Sequence, residues 1–308
     1  MRDYDSKDGK MIFAGMNVED IANQFGTPCY VTDEARVREN YRNVYNAFSK
    51  YMPTEVHYAC KANTSLAILR ILQQEGAGID AVSIGEVKTC LKAGFSPDKI
   101  MYTGVFVSTE ELKQVAETGV LINLDSEYEM ERLAQIKPGA PVSFRITPGV
   151  GSGHGDKVIT GNKGAKFGIP KDRVIETYLR AQDLGLRPVG IHAHIGSGGQ
   201  SVEPFIEEAE VLAELINQIE EAGIELEFVD IGGGIGVPYK PNEEEMDLGE
   251  MASEVTDVFE QNTNIKKIIL EPGRYIVCDT TVLLTRCTDV KDAGTKKYIG
   301  VDAGFNTL

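Results

Sequence analysis

Basic residues are in short supply. Lys and Arg number 31 against 47 Asp and Glu in 308 residues, a formal net charge of −16. A nucleic-acid partner is therefore not expected, because a phosphate backbone is gripped by clustered cations. Long apolar runs are missing as well: no stretch approaches the roughly 18 apolar residues that a membrane span requires. The opening Met1-Arg2-Asp3-Tyr4-Asp5 lacks the cationic-then-apolar order of a secretory signal. Cysteines are few and unpatterned. Cys29, Cys60, Cys90, Cys278 and Cys287 are odd in number and none stands at C-x-x-C spacing. They read as reduced thiols of a cytoplasmic protein and offer no ligand cluster for a structural zinc. Low-complexity tracts are also absent.

What is present belongs to a folded chain. Hydrophobic residues make up 42% and charged residues 25%, too apolar for disorder. At about 150 residues per domain the length suggests two domains or one large barrel. Short apolar, β-branched runs predict strands at 56–61, 78–83, 100–104, 121–126, 142–146, 188–195, 228–231 and 267–271. Helix-period segments lie between them, among them 65–75, 109–118, 171–184 and 202–222. Eight such units with near-continuous apolar strands predict an α/β fold, a closed (β/α)8 barrel of the TIM type. Ser83-x-x-Glu86, Ser108-x-x-Glu111 and Ser126-x-x-Glu129 have capping-box form and support the phasing.

The flanks differ from this pattern. Residues 1–30 precede the barrel, with Gly26-Thr27-Pro28 turning into a short strand at 29–32. Segments 280–290 and 297–302 read as further strands with no helix between them. The expected division is an N-terminal segment 1–30, a barrel 31–275, and the start of a β domain at 276–308.

Reactive groups of such a barrel gather at the C-terminal ends of its strands. Lys61 ends strand one, where desolvation would lower its pKa and free a nucleophilic amine; otherwise it is a solvated lysine. Asp80, Ser83 and Glu86 follow strand two and read equally as caps. His192 and His194 end strand six, two apart and so on one face. No carboxylate stands at a spacing that would complete a metal site with them, so no metal is expected and a packed or ring-stacked imidazole is favoured. His57 and His154 show no ligand spacing either. Strand seven runs into Asp230-Ile231-Gly232-Gly233-Gly234-Ile235-Gly236, a glycine run able to cradle an anion or simply to turn tightly. It departs from the dinucleotide fingerprint, and Pro238 follows it. Strand eight ends in Glu271-Pro272-Gly273-Arg274, a structural ion pair or a carboxylate for a ring nitrogen beside an anion-binding fork.

An amine, an imidazole, a phosphate cradle and a ring-nitrogen acid together describe the supports that pyridoxal 5′-phosphate needs. The sequence resembles the fold-type III pyridoxal-phosphate decarboxylases, and among them the diaminopimelate decarboxylases. The stretches that carry the resemblance are YACKAN (58–63), GIDAVSIGE (78–86), HGDKVITGNKGAKFGI (154–169), IHAHIGS (191–197), DIGGG (230–234), EPGR (271–274) and VDAGFN (301–306). Ile84, Thr147 and the loop HIGSGGQ depart from common family usage.

The resemblance implies that Lys61 carries the cofactor covalently and that His194 stacks on its ring. It implies Ser197, Gly232, Gly233, Gly234 and Gly273 around the phosphate, and Glu271 at the pyridine nitrogen. Arg274 would take phosphate or a substrate carboxylate. Asp80, Glu86 and Arg145 would be supports behind these groups. The implied reaction is decarboxylation of meso-2,6-diaminopimelate to L-lysine in a cytoplasmic homodimer. Rival readings are decarboxylation of ornithine, arginine or carboxynorspermidine, a pyridoxal-phosphate-binding barrel without turnover, or a barrel enzyme without that cofactor. The family also carries later substrate and phosphate ligands, so a C-terminally truncated chain lacking most of the β domain is expected.

Overall fold

The computed structural model describes residues 5–151, 160–162, 164–240 and 242–307. The chain opens with a meander of β1 (Asp5–Lys7), β2 (Lys10–Phe13) and β3 (Met16–Asn17). Next come α1 (Val18–Phe25), β4 (Cys29–Thr32) and α2 (Glu34–Phe48). Eight parallel strands then build the barrel. They are β5 (Thr54–Ala59), β6 (Gly78–Ala81), β7 (Ile100–Tyr102), β8 (Leu121–Leu124) and β9 (Pro141–Thr147), followed by β11 (Arg187–Ala193), β12 (Phe228–Asp230) and β13 (Ile268–Leu270). Pairing runs in that order and closes from β13 back to β5. A two-residue strand, β10 (Ile169–Pro170), extends the edge of β9 beyond the reach of β8. All eight strands were legible as apolar runs because a strand covered on both faces has no polar side.

The helices between them are α3 (Leu66–Gln74), α4 (Ile84–Ala93), α5 (Thr109–Thr118), α6 (Glu127–Ile136), α7 (Val174–Asp183), α8 (Glu203–Glu221) and α9 (Leu248–Asn262). After β13 comes only the single turn α10 (Arg274–Val277). The eighth place in the outer ring is taken by α2, which precedes the first barrel strand and packs between α3 and α9. Its apolar stripe of Val37, Tyr41, Val44 and Phe48 faces the core. The barrel is thus (β/α)8 in content, with its last helix supplied from the front of the chain.

Each predicted serine cap forms. Ser83, Ser108 and Ser126 accept from the backbone N–H of Glu86, Glu111 and Glu129 at 3.1–3.2 Å. The glutamate half of the box differs from expectation. Glu86 accepts from Val82 N at 2.6 Å, Glu111 from Ile84 N at 2.9 Å, and Glu129 from both Val107 N and Asp125 N at 3.1 Å. These carboxylates brace the loops at the strand ends, so the capping sequence also fixes the barrel rim.

Past the barrel lie β14 (Thr281–Leu284), β15 (Cys287–Asp292) and β16 (Lys297–Val301). The run 280–290 is therefore two strands, broken at 285–286. β14 pairs antiparallel with β4, joining the chain before the barrel to the chain after it. The hydroxyls of Thr27 and Tyr30 add bonds to Asp302 and to the Thr307 carbonyl, each 2.5 Å.

Candidate active site

A cavity of about 410 Å³ opens at the C-terminal ends of β5, β11, β12 and β13. Lys61, His194, Ser197, Gly234, Glu271 and Arg274 line it, with Gly273 beside them. Residues from four parts of the sequence thus meet in one space.

Lys61 sits in a 3₁₀ turn, Cys60–Ala62, just after β5 rather than on the strand. Its Nζ lies 2.6 Å from Asp80 Oδ2, and the Asp80 side chain is buried at the end of β6. The expectation of a lowered lysine pKa is overturned. Burial pulls it down, but the neighbouring Asp80 and Glu271 carboxylates outweigh that and hold it above its ordinary value. Burial and Glu271 push Asp80 up while Lys61 opposes them.

His194 follows β11 and is neutral. Burial, reinforced by Arg145 and Lys61, brings its imidazole down to about 3. Its Nδ1 accepts from Gly233 N at 3.2 Å, leaving the proton of the neutral ring on Nε2. The glycine run is dictated first by crowding. A methyl on Gly233 would strike the Glu271 carbonyl, and one on Gly232, whose φ is 65°, would lie 2.6 Å from the Ala193 carbonyl. Both amides are engaged, since Gly232 N donates to Asp230 Oδ1 at 2.8 Å and Gly233 N to His194. Of the three glycines only Gly234 reaches the cavity wall. Its N–H, like that of Ser197, has no partner among the described residues.

Glu271 is 6% exposed, and its Oε1 has no hydrogen-bond partner among the described residues. Its Oε2 lies 3.1 Å from His192 Nε2. Burial opposes ionisation, but the His192 pair and Lys61 bring the carboxyl down to about 2. Arg274 Nη2 donates to Ser197 Oγ at 3.0 Å, and Nη1 donates to the Tyr239 hydroxyl. Arg145 on β9 is buried over the Phe167 ring at 4.4 Å. Burial lowers its pKa against the pull of Asp125, Glu271, Asp80 and Glu208. The Glu86 carboxylate accepts from the backbone N–H of Val82 and lies among the caps. His154 falls outside the described residues.

Sequence reading missed several neighbours. Ala59, Ala62, Ile235, Val277 and Cys278 complete the cavity wall, and no pattern marks them. Carboxylates do converge on His192: Asp230 and Glu271 each bring an oxygen within 4.8 Å of the other ligand atoms. They come from adjoining strands far apart in sequence, which spacing cannot reveal.

The pyridoxal-dependent decarboxylase family, through its pyridoxal binding domain, matches residues 34–278. A diaminopimelate decarboxylase of Methanothermobacter thermautotrophicus is 49% identical over 97% of this chain and 72% of its own length. The chain belongs to the diaminopimelate decarboxylase family. Two solved structures extend the likeness. The M. jannaschii diaminopimelate decarboxylase in co-complex with L-lysine superposes with a TM-score of 0.91 at 31% identity, covering 98% of this chain and 74% of that one. The Helicobacter pylori enzyme complexed with L-lysine gives 0.88 at 34% identity, covering 94% and 74%.

The cofactor of this decarboxylase is pyridoxal phosphate. The residues present fit it on the structure's own terms. An amine and an unpartnered buried carboxylate oxygen share one cavity, and free amides of Ser197 and Gly234 stand near the Arg274 guanidinium.

Proposed function

We infer that this decarboxylase removes carbon dioxide from meso-2,6-diaminopimelate to give L-lysine. The observation that carries the reading is the meeting of Lys61, Glu271 and His194 in one cavity of a chain so similar to diaminopimelate decarboxylases. Bound pyridoxal phosphate would supply an aldehyde for amines and a protonated ring that accepts the electron pair left on the substrate carbon when carbon dioxide departs. Lys61 Nζ is the amine that carries it. With Asp80 and Glu271 favouring the ammonium form, Lys61 must first shed a proton to become nucleophilic. Glu271, ionised, keeps the ring-nitrogen proton in place through Oε1. His194 presents a neutral, buried ring to one face of the cofactor and brings no competing charge. Ser197, Gly234 and Gly273 receive the phosphate, with Gly232 and Gly233 shaping the turn behind them. Arg274, held by Ser197 and Tyr239, serves as the anion fork for phosphate or substrate carboxylate. Asp80 and Arg145 act through their charges on Lys61 and Glu271.

The substrate is an amino acid. Residence in the cytoplasm is supported by five free thiols, and a homodimer by the family resemblance. Among the described residues no helix is long and apolar enough to cross a membrane. The β4–β14 pairing supports treating 1–30 and 276–308 as one β unit beside a barrel of 31–275.

The test is borohydride reduction of the cofactor-loaded protein followed by mass spectrometry. A pyridoxyl group on Lys61, and its loss in Lys61→Ala, is the expected result; an adduct that persists in Lys61→Ala would refute the assignment. Offering diaminopimelate, ornithine and arginine separately then decides the substrate by carbon dioxide release.

A further inference from the structure

The roles above leave one buried neighbour without a task. His192 lies on β11, 1% exposed, with Nε2 aimed at Glu271 Oε2 across the intervening strand β12. Asp230 of β12 stands opposite His192 in the ladder and within the same small cluster. Its Oδ1 already accepts from Gly232 N, and His192 bonds to Glu271 instead.

A carboxylate that holds a proton on a ring nitrogen has two requirements. It must stay ionised although buried, and its plane must be fixed so that one oxygen faces the ring. Two oxygens of one carboxylate can divide these duties only if a donor occupies the second. In Glu271 the division is visible: Oε2 meets His192, and Oε1 has no partner among the described residues. We propose that His192 is the positioning residue of this site, donating Nε2–H to Glu271 Oε2 so that Oε1 is left ionised and aligned for the cofactor's ring nitrogen. This rests on the cofactor reading above.

The surroundings decide which acid is charged. Lys61, Arg145, His192 and His194 face the cluster, with Asp80, Glu208 and Asp230 as the other acids. Asp230 and Glu208 are pushed well above the carboxylate range by burial, whereas Glu271 is lowered chiefly by His192. The imidazole thereby favours ionisation of Glu271 over Asp230 and Glu208. Burial disfavours charge on Asp230 and Glu208, which leaves the negative charge to the residue that lines the cavity.

The experiment compares His192→Leu, which removes the donor, with His192→Gln, which keeps an N–H near the same place. Each is loaded with pyridoxal phosphate labelled with ¹⁵N in the ring. The wild type and His192→Gln are expected to show a protonated ring nitrogen. His192→Leu is expected to show an unprotonated one, with kcat lower by roughly 10- to 100-fold, as for other residues that orient a ligand from behind, and a smaller change in KM. An unshifted ring-nitrogen resonance in His192→Leu overturns the proposal. Should His192→Leu not fold, the cofactor-free wild type decides by ¹H–¹⁵N histidine spectra. Nε2 of His192 must carry the proton that faces Glu271, and a bare Nε2, or a divalent metal retained there after dialysis, overturns it. If the wild type takes no cofactor on Lys61, the parent reading fails; if it does and ignores His192, only this inference fails.

Discussion

Glu208 of α8 is fully buried with neither carboxyl oxygen hydrogen-bonded among the described residues. Burial raises its pKa well above the ordinary value. Between the unfolded and folded pKa values the native state keeps a proton that the unfolded chain has lost, so stability falls as pH rises through that interval. Replacing Glu208 with Met is expected to stabilise the fold by roughly 1–3 kcal/mol, with a gain that grows as pH rises above the carboxylate range. Thermal melts of both proteins in mildly acidic and mildly alkaline buffer check this, and a pH-independent difference would contradict it. Asp80 lends itself to a second test. Since its carboxylate raises the Lys61 pKa, Asp80→Asn leaves more neutral amine at a given pH. Cofactor capture by the apo-protein, followed by visible absorbance, is expected to reach its midpoint at lower pH in the variant. An unchanged midpoint would mean that Asp80 does not control the amine.

At the scale of elements, the serine–glutamate pairs do two jobs of unequal weight. Ser126 satisfies one N–H at the start of α6, and Ser126→Ala is expected to cost about 1 kcal/mol. Glu129 satisfies two buried N–H groups, on Val107 and Asp125, in neighbouring strand-end loops. Its removal in Glu129→Ala leaves both unpaired and is expected to cost roughly 2 kcal/mol or more. Urea denaturation of the two variants ranks them, and the reverse order would show that the cap outweighs the loop brace. The pattern S-x-x-E announced the helix start from sequence alone, because a cap is a local device. Where the glutamate points was not legible, because its partners belong to other βα units.

For the whole molecule, closure depends on a helix that precedes the barrel strands. Phe48 at the end of α2 is fully buried in the common core. Phe48→Ala is therefore expected to cost about 3–5 kcal/mol and to melt the barrel and release cofactor in one transition. Calorimetry alongside cofactor absorbance would detect it; a barrel that keeps its cofactor after an early, separate transition would show that α2 is dispensable.

The alternation of apolar strands with helix-period segments determined the barrel, since each element carries its own periodicity in consecutive residues. It also placed Lys61, His194, the glycine run and Glu271 at strand ends, where a barrel gathers its chemistry. Tertiary structure alone decided their states. The contact of Lys61 with Asp80 raises a pKa that position had suggested would fall, and His192 meets Glu271 across a strand 79 residues apart in sequence. Charge and proton placement follow from distances and burial in three dimensions, and no spacing along the chain encodes either.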